Sequence, residues 1–357
     1  MKLETGSGCM KFMHIADVHL GAVPDTGCPW AEQRSKEIWE AFYEVLDTAK
    51  AENVDFVFIA GDLFHRAPLL RELKELNYRF AGIKPVRIVI MAGNHDYLRH
   101  DSRYLSFEWS ENVSFFKSQK MECLHFTQEK TYVYGLSYEN FEIETPLYDH
   151  IRPFQEEGCH ILLAHGGDST HVPINMKKLS ESGFDYAAMG HIHKPAIMYD
   201  GKMAYSGALV PIDRNDTGEH GYIMGTWDGT AVQTQFVPVQ GRRYIHFTVV
   251  MDGRMPWGMA VDFAAEEIAK YGNQHIYKII LSGFRDPDME MDLEQMYRLG
   301  NVAEIEDRTE PDYDFDALYA ANRDNVIGMY IQKVRALPAE QESKNKALYY
   351  GLKALLR

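Results

Sequence analysis

The sequence predicts an α/β fold in which a covered sheet carries its chemistry along one rim. Two observations lead there. Five short runs, Phe12 to Ile15, Phe56 to Ala60, Arg87 to Met91, His160 to Ala164 and Tyr186 to Met189, are rich in β-branched or aromatic residues and bounded by glycine, as buried strands are. Each run then stops at a metal-ligand or acid/base residue. Near-continuous apolar runs suit a sheet covered on both faces, and in open α/β sheets ligands gather outside the carboxyl ends of the strands.

The first run leads into Asp17-Val18-His19. On an extended segment Asp17 and His19 face one side, while Val18 turns to the core. Ile38, Phe42, Val45, Leu46 and Ala49 then recur at helical spacing, so residues 32–53 are predicted to form a crossover helix closing a βαβ unit. The second run ends at Gly61-Asp62. A carboxylate at the centre of the group suits a bridge between two ions about 3.5–4 Å apart.

The third run ends at Gly93-Asn94-His95-Asp96. Gly93 frees the turn, and Asn94 offers a neutral amide oxygen. His95 can lean over the same site, with Asp96 placed to hold its ring as a donor, so His95 reads as an acid and not a ligand. The fourth run stops at His165, and the fifth at Gly190-His191-Ile192-His193, whose histidines again alternate around an apolar residue. A lone Asp-x-His or Gly-Asp is common, and Gly-Asn-His-Asp alone could be a polar turn. The joint order at the ends of apolar runs is what is specific. The donors are carboxylate, amide and imidazole without cysteine, which favours hard or borderline divalent cations over thiolate-bound zinc.

Length and composition fit a globular, cytoplasmic protein; 357 residues suggest two domains or three small ones. No stretch approaches the ~20 apolar residues of a membrane span. The four cysteines, Cys9, Cys28, Cys123 and Cys159, are scattered, as reduced thiols are. Residues 1–9 read as an added leader, with a native start near Met10. The formal charge of −15 weighs against nucleic-acid binding, yet the acids concentrate between Asp286 and Asp316, while Arg66, Arg71, Arg99, His100, Arg103, Lys117 and Lys120 follow the first motifs.

Beyond Gly241 the pattern changes. Arg243 to Met251 and Ile276 to Leu281 read as strands, with helices over 260–271 and 289–299, giving a second α/β unit. Its acid-rich end reads as a solvated face. Phe315 to Arg357 reads as helical with a break at Pro338, and Leu348, Leu352 and Leu355 form a stripe that must pack on something. The expected domains are 10–241, 242–312 and 313–357.

In this order the motifs resemble those of the calcineurin-like metallophosphoesterase superfamily over about Met10 to Val239. Within it, Ile15-Ala16-Asp17-Val18-His19-Leu20-Gly21 and Gly61-Asp62-Leu63-Phe64-His65 are similar to the SbcD-type DNA-repair nuclease subunits. The resemblance implies a two-sheet β-sandwich flanked by helices, a smaller α/β capping domain that helps shape a DNA groove, and C-terminal helices. It implies that Asp17, His19, Asp62 and His193 surround one ion and that Asp62, Asn94, His165 and His191 surround the other. His95 matches the histidine that assists the leaving group, and His65 one that orients the phosphate backbone. The implied metal is Mn2+, with Fe, Zn or Mg as alternatives. The implied partners are DNA, a second copy of the chain and an SbcC-like coiled-coil ATPase, with no membrane.

Phosphodiesters are anionic and repel hydroxide, and two cations relieve that repulsion while lowering the pKa of a bridging water. The expected reaction is a DNA exonuclease's, with single-strand endonuclease activity as a further expectation: a metal-bridging hydroxide attacks phosphorus and His95 donates to the departing oxygen. The same site would serve a phosphomonoesterase or cyclic-nucleotide phosphodiesterase. A non-catalytic assembly subunit is the third reading, against which the intact donor set and the spare His95 both argue.

Overall fold

Alternation along each strand assigns every side chain to a layer, and the layers fix where the strand ends lie. The computed structural model describes residues 9–356, so the expected leader lies outside the described residues except for Cys9. Two compact units meet in sequence between Tyr244 and Ile245.

In the first unit, β1 (Met10–Ile15), α1 (Ala31–Ala51), β2 (Phe56–Ala60), α2 (Leu70–Gly82), β3 (Arg87–Met91), α3 (Arg103–Ser106) and β4 (Val113–Phe115) come first. They are followed by β5 (Glu122–Phe126), β6 (Thr131–Gly135), β7 (Cys159–His165), α4 (Met176–Ser180), β8 (Tyr186–Gly190), β9 (Ala196–Met198) and β10 (Met203–Tyr205). The hairpin β11 (Gly221–Trp227) and β12 (Val232–Pro238) closes the unit. Two six-stranded sheets result, ordered β12-β11-β1-β2-β3-β4 and β5-β6-β7-β8-β10-β9. Strands β1 to β4 run parallel, as do β6, β7 and β8, which brings the carboxyl ends within each set to one rim.

The five apolar runs therefore divide between two sheets. Phe12, Phe56, Phe58, Val89 and Met91 of the first sheet pack against Ile161, Leu163, Tyr186 and Ala188 of the second. The alternate residues Met13, Ile15, Val57, Ile59, Ile88 and Ile90 meet Ile38, Phe42 and Val45 of α1 and Leu73, Leu76 and Phe80 of α2. On the far face of the second sheet, Leu162, Ala164 and Met189 meet Tyr138, Tyr148 and Leu179. Each such large side chain contributes roughly 1.5–3 kcal/mol on burial. The result is the two-sheet, helix-flanked architecture that the resemblance implies.

The segment carrying Asp17 and His19 is not extended. Both residues adopt left-handed backbone conformations, with φ of 50° and 52°. The Asp17 N–H donates to Gly61 O and the His19 N–H to Asp62 O, so the loop follows the chain after β2 and not a strand path. Val18 is nevertheless fully buried, as the alternation required.

The second unit contains β13 (Tyr244–Met251), α5 (Trp257–Tyr271), β14 (Ile276–Arg285), α6 (Leu293–Tyr297), β15 (Val302–Asp307) and β16 (Glu310–Pro311). Its sheet runs β13-β14-β15, with β16 beside β14, over a core including Val249, Ala264, Ile268 and Ile279. The helix expected over 289–299 shrinks to α6, because Met289, Met291 and Leu293 pack on the core with Glu290 and Asp292 between them, a period of two that no helix can satisfy. The terminal segment forms α7 (Phe315–Ala321), α8 (Val326–Arg335) and α9 (Gln341–Leu355). The unexpected break before α8 is made by Asn325, whose side-chain oxygen accepts from the N–H groups of Ile327 and Gly328. Leu348 and Leu352 are buried with Ile331 and Val334, whereas Leu355 is exposed. The acid-rich stretch is largely solvated, with Glu304 and Glu306 reaching Lys278 and Glu306 also reaching Arg308.

All four cysteines are free. Among the described residues no helix is long and apolar enough to cross a membrane.

Candidate metal centre

Asp17, His19, Asp62, Asn94, His165, His191 and His193 converge on the rim where β1, β2, β3, β7 and β8 end. Asp17, His19, Asp62, Asn94 and His165 are almost completely buried. Four of the seven, Asp17, His19, Asp62 and His191, have positive φ, at 50°, 52°, 51° and 95°. Left-handed geometry at non-glycine residues costs energy and persists only where the surroundings over-determine it. Here the surroundings are the sheets, which turn successive strand ends over one point.

Gly61 and Gly190 permit that closeness. Gly61 has φ of +90°, and a Cβ there would strike the His165 ring. A Cβ at Gly190 would collide with Ala60 O and come within 2.8 Å of Ala16 Cβ. Larger residues at either position would push the sheets apart under the site.

Two donor clusters share Asp17. In one, ligand atoms of Asp17, His19 and His193 lie within 4.8 Å of one another; in the other, those of Asp17, Asp62 and His165 do. The Asp62 carboxylate stands between clusters, with Oδ2 3.5 Å from His165 Nε2 and 3.8 Å from His19 Nε2. Asn94 Oδ1 lies 2.9 Å from His165 Nε2 and 3.2 Å from His191 Nδ1. The Asp17 carboxylate accepts from the His191 N–H, at 2.8 and 3.0 Å.

Charge effects follow the crowding. Burial pushes the Asp17 carboxyl up to about 6, although His165 and His193 pull it down. Burial also opposes ionisation of Asp62, but His165 and His19 outweigh it and hold this carboxyl below its usual range. For His165 burial favours the neutral ring, yet Asp62 and Asp17 raise it to about 9. In His193 burial is outweighed by Asp216, giving about 8, while burial and His165 lower His191 to about 4.

These residues fit divalent cations. His165 Nδ1 is held 2.9 Å from Ala60 O, His193 Nδ1 3.1 Å from Asp216 Oδ2, and His191 Nε2 2.7 Å from Asp168 Oδ2. Each ring thus donates its far N–H to a fixed acceptor and turns the near nitrogen into the cluster, where a bound cation would displace the second proton that the carboxylates favour on His165 and His193. The near nitrogens face other acceptors: His19 Nε2 and His193 Nε2 are 3.2 Å apart, and two ring nitrogens aim at Asn94 Oδ1. Nitrogen and oxygen donors held this close and aimed at common points are the arrangement that divalent cations take.

The sequence gives no sign of Asp168, His171 or Asp216. Asp168 follows His165 through two glycines and caps its own turn, accepting from the Thr170 and His171 N–H groups at 2.8 Å. Its Oδ2 also lies 2.9 Å from His171 Nδ1, so one carboxylate positions two rings. Asp168→Asn and Asp216→Asn are each expected to weaken metal affinity by about 10–100-fold, read by calorimetric titration, without unfolding the chain. Unchanged affinity in both would show that these carboxylates do not tune the rings.

His95 and His65 stand apart from the seven donors but cluster with His19, ring nitrogens of the three lying within 4.8 Å of one another. Their rings stack with centroids 4.9 Å apart, and both approach His19, at 4.8 and 5.3 Å. The His95 main-chain N–H donates to Asp62 Oδ1 at 2.8 Å, while its Nδ1 faces His65 O at 3.4 Å. Arg66 pairs with both oxygens of Glu72, which also accepts from the Leu69 N–H, fixing the loop that carries His65.

Asp96 does not hold the His95 ring as expected. Its carboxylate is turned into the core, where it accepts from the N–H groups of Gly93 and Phe64 and from the Tyr104 hydroxyl, at 2.8, 3.2 and 2.9 Å. Burial and the nearby Asp62 raise it to about 7 against those three donors. Its part is to brace the turn that presents Asn94 and His95.

Comparison with known proteins gives a consistent picture. A family model described as calcineurin-like phosphoesterase matches residues 10–195. The chain is 30% identical over 236 residues to the "Uncharacterized metallophosphoesterase YhaO" of Bacillus subtilis (strain 168), covering 60% of this chain and 57% of that protein. It is 30% identical over 240 residues to the "DNA double-strand break repair protein Mre11" of Archaeoglobus fulgidus, covering 59% and 52%. To the protein of the same description from Aeropyrum pernix it is 28% identical over 259 residues, covering 64% and 61%. The match therefore spans between about half and 61% of these relatives' length.

Proposed function

Because this chain belongs to the calcineurin-like phosphoesterase family, we propose that it is a two-metal DNA nuclease of the SbcD type, an exonuclease of DNA repair. The reading is carried by the convergence of Asp17, His19, Asp62, Asn94, His165, His191 and His193 beside a stacked His65–His95 pair at the mouth of the site. The relatives described as double-strand break repair proteins support DNA as the substrate.

In this proposal Asp17, His19, Asp62 and His193 hold one ion and Asp62, Asn94, His165 and His191 the other. Bound divalent cations, Mn2+ in this reading, would supply activated water and neutralise the phosphate charge. The chain's own residues do the rest. Asp62 ties the two donor clusters together and anchors the His95 main chain. His95 Nδ1 is engaged by the His65 carbonyl, leaving Nε2 to hand a proton to the departing ribose oxygen. His65, stacked on His95, steadies that ring and offers a second donor to the phosphate.

Chelation is expected to abolish cleavage of end-labelled DNA, with Mn2+ restoring it. Cleavage persisting in chelator would rule out the metal reading. We also propose that the chain works in the cytoplasm as a homodimer and that residues 313–357 dock an SbcC-like coiled-coil ATPase. Val326, Met329 and Tyr350 leave exposed apolar surface on α8 and α9. Truncation before Pro338 should leave nuclease activity intact and abolish capture of that ATPase; retained capture would count against docking.

A further inference from the structure

Phe141 lies beside the candidate catalytic histidine, yet nothing in the proposed chemistry uses it. Its side chain is 45% exposed. The ring meets His95 at 5.9 Å between centroids with an interplanar angle of 74°, and His171 at 5.6 Å and 85°. His171 in turn lies 4.6 Å from His191, so one row of rings runs from His65 through His95, Phe141 and His171 to the donor set.

The loop that presents Phe141 is pinned on both sides. Before it, the Tyr138 N–H donates to Ala92 O at 3.1 Å and the Leu98 N–H to Tyr138 O at 2.7 Å, while Glu139 and Gln119 exchange main-chain to side-chain hydrogen bonds. After it, the Ile143 N–H donates to Thr170 O at 2.9 Å and the Val172 N–H to Ile143 O at 2.7 Å. An apolar ring held in water by such anchors is pre-organised for a ligand, since it loses little freedom on binding.

The surroundings define the ligand. Glu139, Glu142 and Glu144 flank the ring in sequence, and Asp168 pairs with the His171 it touches. Those charges repel phosphate, so the ring suits an uncharged flat group. A base inside a duplex is already stacked on its neighbours, whereas an unpaired base offers a free face that an aromatic side chain can cover. A groove begins beside this loop, and although Glu139 lines its near end, Arg99 and Lys117 supply the cations that an adjoining backbone needs.

We infer that Phe141 is a stacking platform for an unpaired nucleobase next to the scissile phosphate, so that the site prefers a single-stranded or frayed DNA end. The inference rests on the nuclease reading and deepens it. Phe141 positions substrate; it takes no part in proton transfer.

The test uses the full chain with Mn2+ and two single-stranded oligonucleotides, one normal and one with abasic tetrahydrofuran residues flanking the cleaved linkage. Loss of the base should raise KM by about 5- to 150-fold in the unaltered protein. Phe141→Ala should raise KM for the normal strand by a similar factor and erase the difference, while Phe141→Trp should keep it. In chelated protein, which cannot turn over, a 2-aminopurine at the same position should be quenched on binding to the unaltered chain and not to Phe141→Ala. Cleavage of both strands with equal KM by the unaltered chain would overturn the platform alone. So would a Phe141→Ala defect in kcat that is equal for both strands, which would mark a packing role beneath His95 and His171. Failure to cut either strand, with turnover of a simple phosphomonoester, would overturn the nuclease reading and the platform with it.

Discussion

His95→Ala is expected to lower kcat on DNA by about 10²–10⁴-fold, the usual worth of a positioned general acid, with bound metal unchanged. The separation is possible because the two parts of His95 do different things. Its main-chain N–H holds Asp62 at 2.8 Å, and alanine retains that N–H. Its ring stacks on His65 at the mouth and clusters with His65 and His19, while the carboxylates of Asp17 and Asp62 gather with other rings. Metal content and steady-state rates should therefore move independently. Near-normal rates would remove His95 from catalysis, and loss of metal would make it part of the ion-binding shell.

Asp62→Asn should do the reverse, removing activity by removing metal. Its carboxylate is the negative group lying between His165 Nε2, at 3.5 Å, and His19 Nε2, at 3.8 Å. Asparagine keeps the shape and can still accept from the His95 N–H, so the loop should persist. A negative charge between the two rings is lost, leaving only Asp17 common to both clusters, and buried cations without their counter-charge are strongly disfavoured. Metal stoichiometry is expected to fall from two ions to one or none, with DNA cleavage at background. Two ions retained at normal affinity would show that Asp62 does not bridge them.

The strands were legible because burial on both faces leaves near-continuous apolar runs, and β2 and β3 coincide with the runs expected from sequence. The resemblance implied two sheets, but which face of each run meets the other sheet was not legible from composition, since Phe12 and Met13 are equally apolar while one faces the other sheet and the next faces α1. In the site, residues that end a strand carry a pattern, which is why Asp17, Asp62, Asn94 and His165 stand out. Asp168, His171 and Asp216 sit in loops where one acid or imidazole resembles any other, and only the folded chain brings them onto the rings they serve. Asp96 shows the opposite hazard: adjacency to His95 in sequence suggested contact, but successive side chains in a turn diverge, and Asp96 turns inward to Tyr104.

The central claim, that these strand ends form a metal-dependent DNA nuclease, is tested most directly by offering the Mn2+-loaded protein end-labelled DNA, a cyclic nucleotide and a simple phosphomonoester side by side, with His95→Ala as control. DNA should be degraded fastest, and His95→Ala should remove that degradation. Turnover confined to the two small esters would contradict the claim and leave the same site serving a small-molecule phosphoesterase.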